Sequence, residues 1–374
     1  MQQPGLNSEI NVGNKRLHIQ SSLSESSKTI VAHVFEKGRI VESRELSIDE
    51  DKKNGELQIR LKSLHDEIVA DLQLLFYIAE KVKQVKHPSS CNKLGLLFFK
   101  KGFIDDALTA FELAIAGKPE MVEAYNNAGL CHFARKDYDK AEEKFIRGLK
   151  HAKEYADLYL NLARLYVEKK HFTKAITFLG KALSINKNYY SAHYLLGLAL
   201  LNSINHKIED PELPPLDDRI ALAKKCFAHA SVLPNINIEL LAKANVALQN
   251  RLVEASLELY TNAYKVTTTD FNLTFEHEFY LKFMYGGKGK DNKFIGSYID
   301  ELCLAIENNP GYADLHNNLG IAYLIMCRNL FLKALEEFRK ALRINPSFKH
   351  AEKNLKLAEN DGKGFLILLR AILK

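Results

Sequence analysis

The sequence predicts a mainly all-α chain, an α-solenoid preceded by a small β-hairpin and one long helix. Three observations carry this. The phrase Ala124-Tyr125-Asn126-Asn127-Ala128-Gly129-Leu130 returns, far along the chain, as Leu315-His316-Asn317-Asn318-Leu319-Gly320-Ile321. Small and aromatic residues recur at a spacing of 34 residues in three successive blocks. Ahead of them, two β-branched runs flank a glycine turn, and a helix follows whose apolar positions step alternately by four and three.

The composition fits this. Of 374 residues, 47% are hydrophobic and 26% charged, which is globular rather than disordered. Nineteen glycines, nine prolines and no tryptophan suit long helices. The net charge of +6 is diluted along the chain without a block of like charges, so no nucleic acid partner is expected. The five cysteines fall in helical stretches with no CxxC pair, the pattern of small buried hydrophobes in a reducing compartment. Met1-Gln2-Gln3-Pro4-Gly5 has no features of a leader, and no apolar run nears the roughly 20 residues of a membrane span. A cytoplasmic protein with no transmembrane segment is expected.

Taken in order, residues 1–27 are polar and serine-rich and are expected to be a flexible tail. Residues 28–87 hold the hairpin and the long helix. Thr29–Phe35 and Ile40–Leu46 read as strands about the turn Glu36-Lys37-Gly38-Arg39. The helix runs from about Glu56 to Val85 with Leu57, Leu61, Leu64, Ile68, Leu75, Ile78, Val82 and Val85 in a coiled-coil-like stripe. Two readings stay open. The stripe covers the hairpin and the first repeat, or it dimerises the chain, making a homodimer possible.

From Pro88 the pattern is repetitive. Leu94, Gly95, Phe98, Ala107, Phe111, Ala114 and Pro119 are followed, 34 residues on, by Ala128, Gly129, His132, Ala141, Phe145, Gly148 and Lys153. A second step gives Leu162, Ala163, Tyr166, Ala175, Leu179, Ala182 and Lys187. This resembles the tetratricopeptide repeat, a helix pair with Leu-Gly and Tyr on its first helix and Ala and Phe on its second. A small residue lets the two helices approach, an aromatic fills the wedge between them, and the next pair stacks on the first. Seven units are read over residues 88–348, at 88–121, 122–155, 156–189, 190–236, 237–270, 271–312 and 313–348. The fourth, opened by Leu196-Gly197 and closed by Ala223, Phe227 and Ala230, is split by an acidic, proline-rich insertion at about Ser203 to Asp218 that should project as a loop. The fifth (Ala244, Ser256, Tyr260, Ala263) and sixth (Leu302, Ala305) are degenerate. The seventh (Leu319, Gly320, Tyr323, Ala334, Phe338, Ala341, Pro346) is strong, with two extra residues between its helices. Residues 349–374 are expected to cap the array, their apolar end Gly364–Lys374 folding back, meeting a partner or lying on a membrane surface.

No chemistry is expected: the chain reads as a non-enzyme with no cofactor and no metal. Gly286-Gly287-Lys288-Gly289-Lys290-Asp291 lacks the opening glycine of a phosphate loop (Met284 stands there) and its closing Ser or Thr. Glu276-His277-Glu278 has no second histidine at helical spacing and reads as a solvated helix face.

The resemblance implies instead a concave groove lined by the first helix of each pair. Just before the Leu-Gly position stand Asn127, Asn161 and Asn318, with Asn126 and Asn317 beside two of them. Such amides carry both donor and acceptor and can pair with a peptide backbone, or can hold neighbouring helices together. The family's two-carboxylate clamp maps onto Asn92, Leu96, Asn127, Asp157 and Asn161. Asp157 has the wrong charge for it, so a chaperone adaptor of that type is not expected. Leu96, Phe99, Leu130 and Phe133, with Arg164 further on, imply an apolar peptide or amphipathic helix as guest. The expected function is a protein-interaction scaffold or adaptor binding a protein or peptide partner. The alternatives are a regulatory subunit dimerising through the N-terminal helix and a nucleic-acid-binding helical repeat.

Overall fold

The computed structural model describes residues 5–24, 29–47, 54–233, 236–264, 275–308, 311 and 313–372. The chain divides into two compact units, Met1–Glu278 and Phe279–Lys374.

The first unit begins with one antiparallel sheet in the order β1-β2-β3-β4: β1 (Gly5–Val12), β2 (Lys15–Ser24), β3 (Thr29–Glu36) and β4 (Arg39–Ser47). The expected hairpin is β3 and β4, turning through Lys37 at φ 51° and Gly38 at φ 77°. Paired positive φ suits a two-residue turn between right-twisted strands. The flexible tail expected over residues 1–27 is corrected, because residues 5–24 form β1 and β2. Leu6, Ser8, Ile10 and Val12, then Leu17, Ile19, Ser21 and Leu23, alternate about the turn Gly13-Asn14. Serines at inward positions hid that alternation.

Those serines have a partner. Helix α1 (Asn54–Val85) lies on the sheet and brings His65, 4% exposed, between the strands. Its Nδ1 is 2.9 Å from Ser21 Oγ and its Nε2 2.7 Å from Ser8 Oγ. Leu61, Ile68, Leu72, Leu75, Ile78 and Val82 are all buried. Most of the stripe therefore covers the sheet and the first repeat, while Leu57 and Leu64 are half-buried and Val85 is exposed. Burying six such side chains contributes on the order of 10 kcal/mol of apolar transfer free energy to this docking. Ion pairs fasten the rest: Arg44 to Asp71 (2.9 Å), Lys101 to Glu42 (3.1 Å) and Lys15 to Asp106 (2.5 Å).

Four helix pairs follow: α2 (Pro88–Lys100) with α3 (Ile104–Gly117), α4 (Val122–Ala134) with α5 (Tyr138–His151), α6 (Ala156–Glu168) with α7 (Phe172–Ile185), and α8 (Tyr190–Asn205) with α9 (Leu216–Ala230). The expected packing is seen in detail. A Cβ on Gly95, Gly129 or Gly197 would lie 2.5, 2.3 or 2.6 Å from the ring of Phe111, Phe145 or Phe227. The turns inside the first three pairs pass through positive φ at Gly102, Lys136 and Lys170. The insertion expected at about Ser203 to Asp218 is shorter, because α8 runs through Asn205 and α9 begins at Leu216, and it is anchored: Arg219, buried at its base, donates to Ser203 Oγ (3.1 Å) and to the Ile208 carbonyl (3.2 Å). In the fifth pair, α10 (Ile238–Gln249) and α11 (Val253–Ala263), the docking helix changes. Here α11, not α10, packs on α8; Tyr260 stacks on Phe227 and its carbonyl accepts the Tyr194 hydroxyl at 2.6 Å.

Helix α12 (Phe275–Met284) crosses the division between the units. The second unit then contains α13 (Asn292–Asn308), α14 (Ala313–Ile344) and α15 (Lys349–Ile372). The helix pair expected for the seventh repeat is corrected, because residues 313–344 form one unbroken helix. The stretch Ile325–Phe331 holds no glycine or proline, and Arg328 and Asn329 are engaged there by the Gly289 carbonyl, at 2.7 and 3.0 Å. Gly320 accordingly meets nothing within 4 Å of a built Cβ, so it does not seat a neighbouring helix as Gly129 does. By length and composition α14 also passes for a membrane span, contrary to the expectation that none would. Residues 349–372 are helical, but most side chains of the apolar end Gly364–Lys374 lie outside the described residues.

Candidate peptide-binding groove

The first helices α2, α4 and α6 are set side by side by their partners α3, α5 and α7, and their asparagines meet. Asn127 Nδ2 donates to Asn92 Oδ1 at 3.0 Å, and Asn161 Nδ2 donates to Asn126 Oδ1 at 2.8 Å. Asn126, Asn127 and Asn161 are 8%, 7% and 6% exposed. The ladder expected in the groove thus forms between helices, each rung crossing one repeat. A buried amide left without a partner costs about 1–3 kcal/mol, which is why they pair. Each amide keeps hydrogen-bonding capacity beyond its one rung.

Around the rungs the expected apolar residues divide. Leu96, Phe99 and Leu130 are 7%, 6% and 7% exposed and belong to the packed wall. Phe133 and Arg164 are half-buried and face each other, the guanidinium 5.9 Å from the ring centroid. That cation–π contact, with the Tyr138 ring tilted against Phe133 at 5.6 Å, presents an aromatic and a cation together. Asn317 and Asn318 lie on α14 in the second unit, exposed and half-buried respectively.

Two groups escaped the sequence reading. Asp157, set aside for its charge, accepts a hydrogen bond from the Tyr189 hydroxyl at 2.5 Å. Burial, then Asp157, pushes the Tyr189 phenol well above its ordinary range, and Arg164 opposes this. Tyr155 and Tyr189 stand one repeat apart, a recurrence the sequence already carried. The second group is Lys93, one position before Leu94, whose charge acts on Glu276 and His277 at the start of α12. The expectation that Glu276-His277-Glu278 is a solvated face is corrected: all three are half-buried. Burial, then Lys93, pushes the His277 imidazole down to about 4. Among the described residues no group of His, Cys, Asp and Glu is placed to hold a metal ion.

Two models of the tetratricopeptide repeat match, over residues 92–157 and 132–201. Residues 92–201 carry tetratricopeptide repeats. Among curated relatives, superkiller complex protein 3 of Mus musculus is 26% identical over 261 residues, 67% of this chain and 15% of that protein. A Drosophila melanogaster homolog of the BBSome complex member BBS4 is 24% identical over 205 residues, 52% of this chain and 40% of that one. The chain therefore spans well under two thirds of these relatives. Among solved structures, a thermophilic repeat protein of Thermus thermophilus, TTC0263, is 20% identical, covering 51% of this chain and 97% of that one at a TM-score of 0.36. The matched tetratricopeptide segment, 92–201, contains the two amide rungs, Phe133 and Arg164.

Proposed function

We propose that this chain is a non-catalytic scaffold of the reducing cytoplasm, holding a segment of a partner protein against the face formed by α2, α4 and α6. The observation that carries this is the half-exposed Phe133–Arg164 pair beside the amide rungs. The rungs lock adjacent first helices in register, so the face is preorganised and binding orders little further structure. Phe133 offers an apolar anchor, Arg164 a cation, and the residual amide capacity suits an extended backbone or the polar edge of an amphipathic helix. The supporting relatives are themselves named as members of protein complexes. The partner expected here carries an apolar side chain next to a carboxylate.

The test is affinity capture from native extract with the wild-type chain, Phe133→Ala and Arg164→Glu, each checked for unchanged helicity. Loss of the same captured protein in both variants supports the reading. Undiminished capture by both variants sinks it.

A further inference from the structure

The second unit holds a repeat opened out. In the first unit each glycine of the Leu-Gly pair receives the aromatic of the second helix, and Phe111, Phe145 and Phe227 are at most 1% exposed. The same residue types stand in α14 as Gly320 and Phe338. They are 18 residues apart on a straight helix, roughly 27 Å along its axis, and cannot meet within one chain. The surfaces meant for that contact are open: Gly320 has nothing within 4 Å, Tyr323 is 52% and Leu330 55% exposed, and Ala334 is exposed where Ala107, Ala141 and Ala223 are fully buried. The outer contacts of the pair are nonetheless in place. α13 packs on α14, joined to its middle by Asn292 Oδ1 accepting from Asn329 Nδ2 at 3.1 Å, and α15 packs on the later half, where Arg339 pairs with Glu359 at 2.8 Å. Among the described residues, what the seventh repeat lacks is the contact between its two halves.

We propose that a second copy of this chain supplies it. Two α14 helices laid antiparallel about Asn329 place Gly320 of each opposite Phe338 of the other, satisfying both notches at once in a twofold, self-complementary interface. The same register brings Asp314 of one copy to within one residue of the level of Arg343 of the other, opposite charges at opposed helix ends. No foreign protein need carry the complement, because the chain encodes both halves. The arrangement is an exchange of the α14–α15 half of the repeat, with the turn of the closed hairpin straightened into helix.

The test is the mass of the full-length chain by sedimentation and light scattering over a concentration series. A dimer is expected. Gly320→Leu, which fits the open helix without contact, should weaken self-association at least about tenfold by filling two notches per dimer. Inserting Gly-Asn-Gly between Arg328 and Asn329 restores a turn and should give a helical monomer whose repeat closes on itself. The two variants are independent, so misfolding of either leaves the other decisive. A wild-type chain that is monomeric at every attainable concentration overturns the proposal. So does a dimer indifferent to the variant that folds, or a monomer that instead floats with phosphatidylcholine–phosphatidylglycerol vesicles through α14.

Discussion

Replacing Gly129 by alanine puts the account of the helix pairs at risk with one methyl group. A Cβ at Gly129 would stand 2.3, 2.6 and 2.9 Å from three atoms of the Phe145 ring. The ring is 0% exposed and stacked in the core of its pair, so it cannot swing aside as the end of a flexible side chain could. Overpacking of this kind costs about 1–3 kcal/mol, and this case belongs at the upper end because all three approaches are under any normal contact. Against it stands the helix-propensity gain of Gly→Ala, about 1 kcal/mol. The net expectation is a loss of about 2 kcal/mol. Gly180 supplies the control: it is inside α7, exposed, with nothing within 4 Å, so Gly180→Ala should gain about 0.5–1 kcal/mol. Urea unfolding followed by far-UV circular dichroism measures both. Opposite signs are predicted. If Gly129→Ala stabilises as Gly180→Ala does, the glycine is not a packing notch and the stacking argument is wrong.

Other consequences are as direct. His65→Ala leaves Ser8 and Ser21 without their shared partner and opens a cavity beneath the sheet; a loss of about 2–4 kcal/mol is expected, read from denaturant midpoints. His277 is held down at about 4, so its neutral form is favoured in the folded chain and its contribution is complete above the ordinary value of 6.5. That contribution should decline as the pH falls from 6.5 toward 4, and an NMR titration should place the imidazole near 4; a midpoint near 6.5 would contradict its burial. Burial raises the thiols of Cys91 and Cys131 and pushes that of Cys226 up to about 11, so these three should resist alkylation until the chain unfolds. Cys327, exposed on α14, is not of the buried type the sequence suggested and should react while the chain is folded unless self-association covers it.

The sequence made the first four helix pairs readable because their determinants are local. Gly95 and Gly129 stand 16 residues before Phe111 and Phe145, and Gly197 meets Phe227 in the same way once the insertion between them is looped out. The seventh unit has the same residues in the same order, yet α14 runs straight. What decides it is the turn, where Arg328 and Asn329 are tied to Gly289, a contact no motif encodes. β1 and β2 were hidden for a similar reason. Ser8 and Ser21 look like surface residues until His65, 44 positions from Ser21, is brought against them. At the groove, position identified the asparagines but could not say where their amides point. The rungs from Asn127 to Asn92 and from Asn161 to Asn126 turned most of that chemistry inward and left Phe133 and Arg164 as the pair still presented.

The central claim is that the partner lies on the face of Phe133. A photo-crosslinking amino acid placed at position 133, and separately at Ile146, which is 41% exposed on the second helix of the same pair, compares that face with another at equal chemistry. Irradiation in native extract should give a discrete adduct from position 133 and none from position 146. Equal adducts from both positions, or an adduct from 146 alone, would contradict the account.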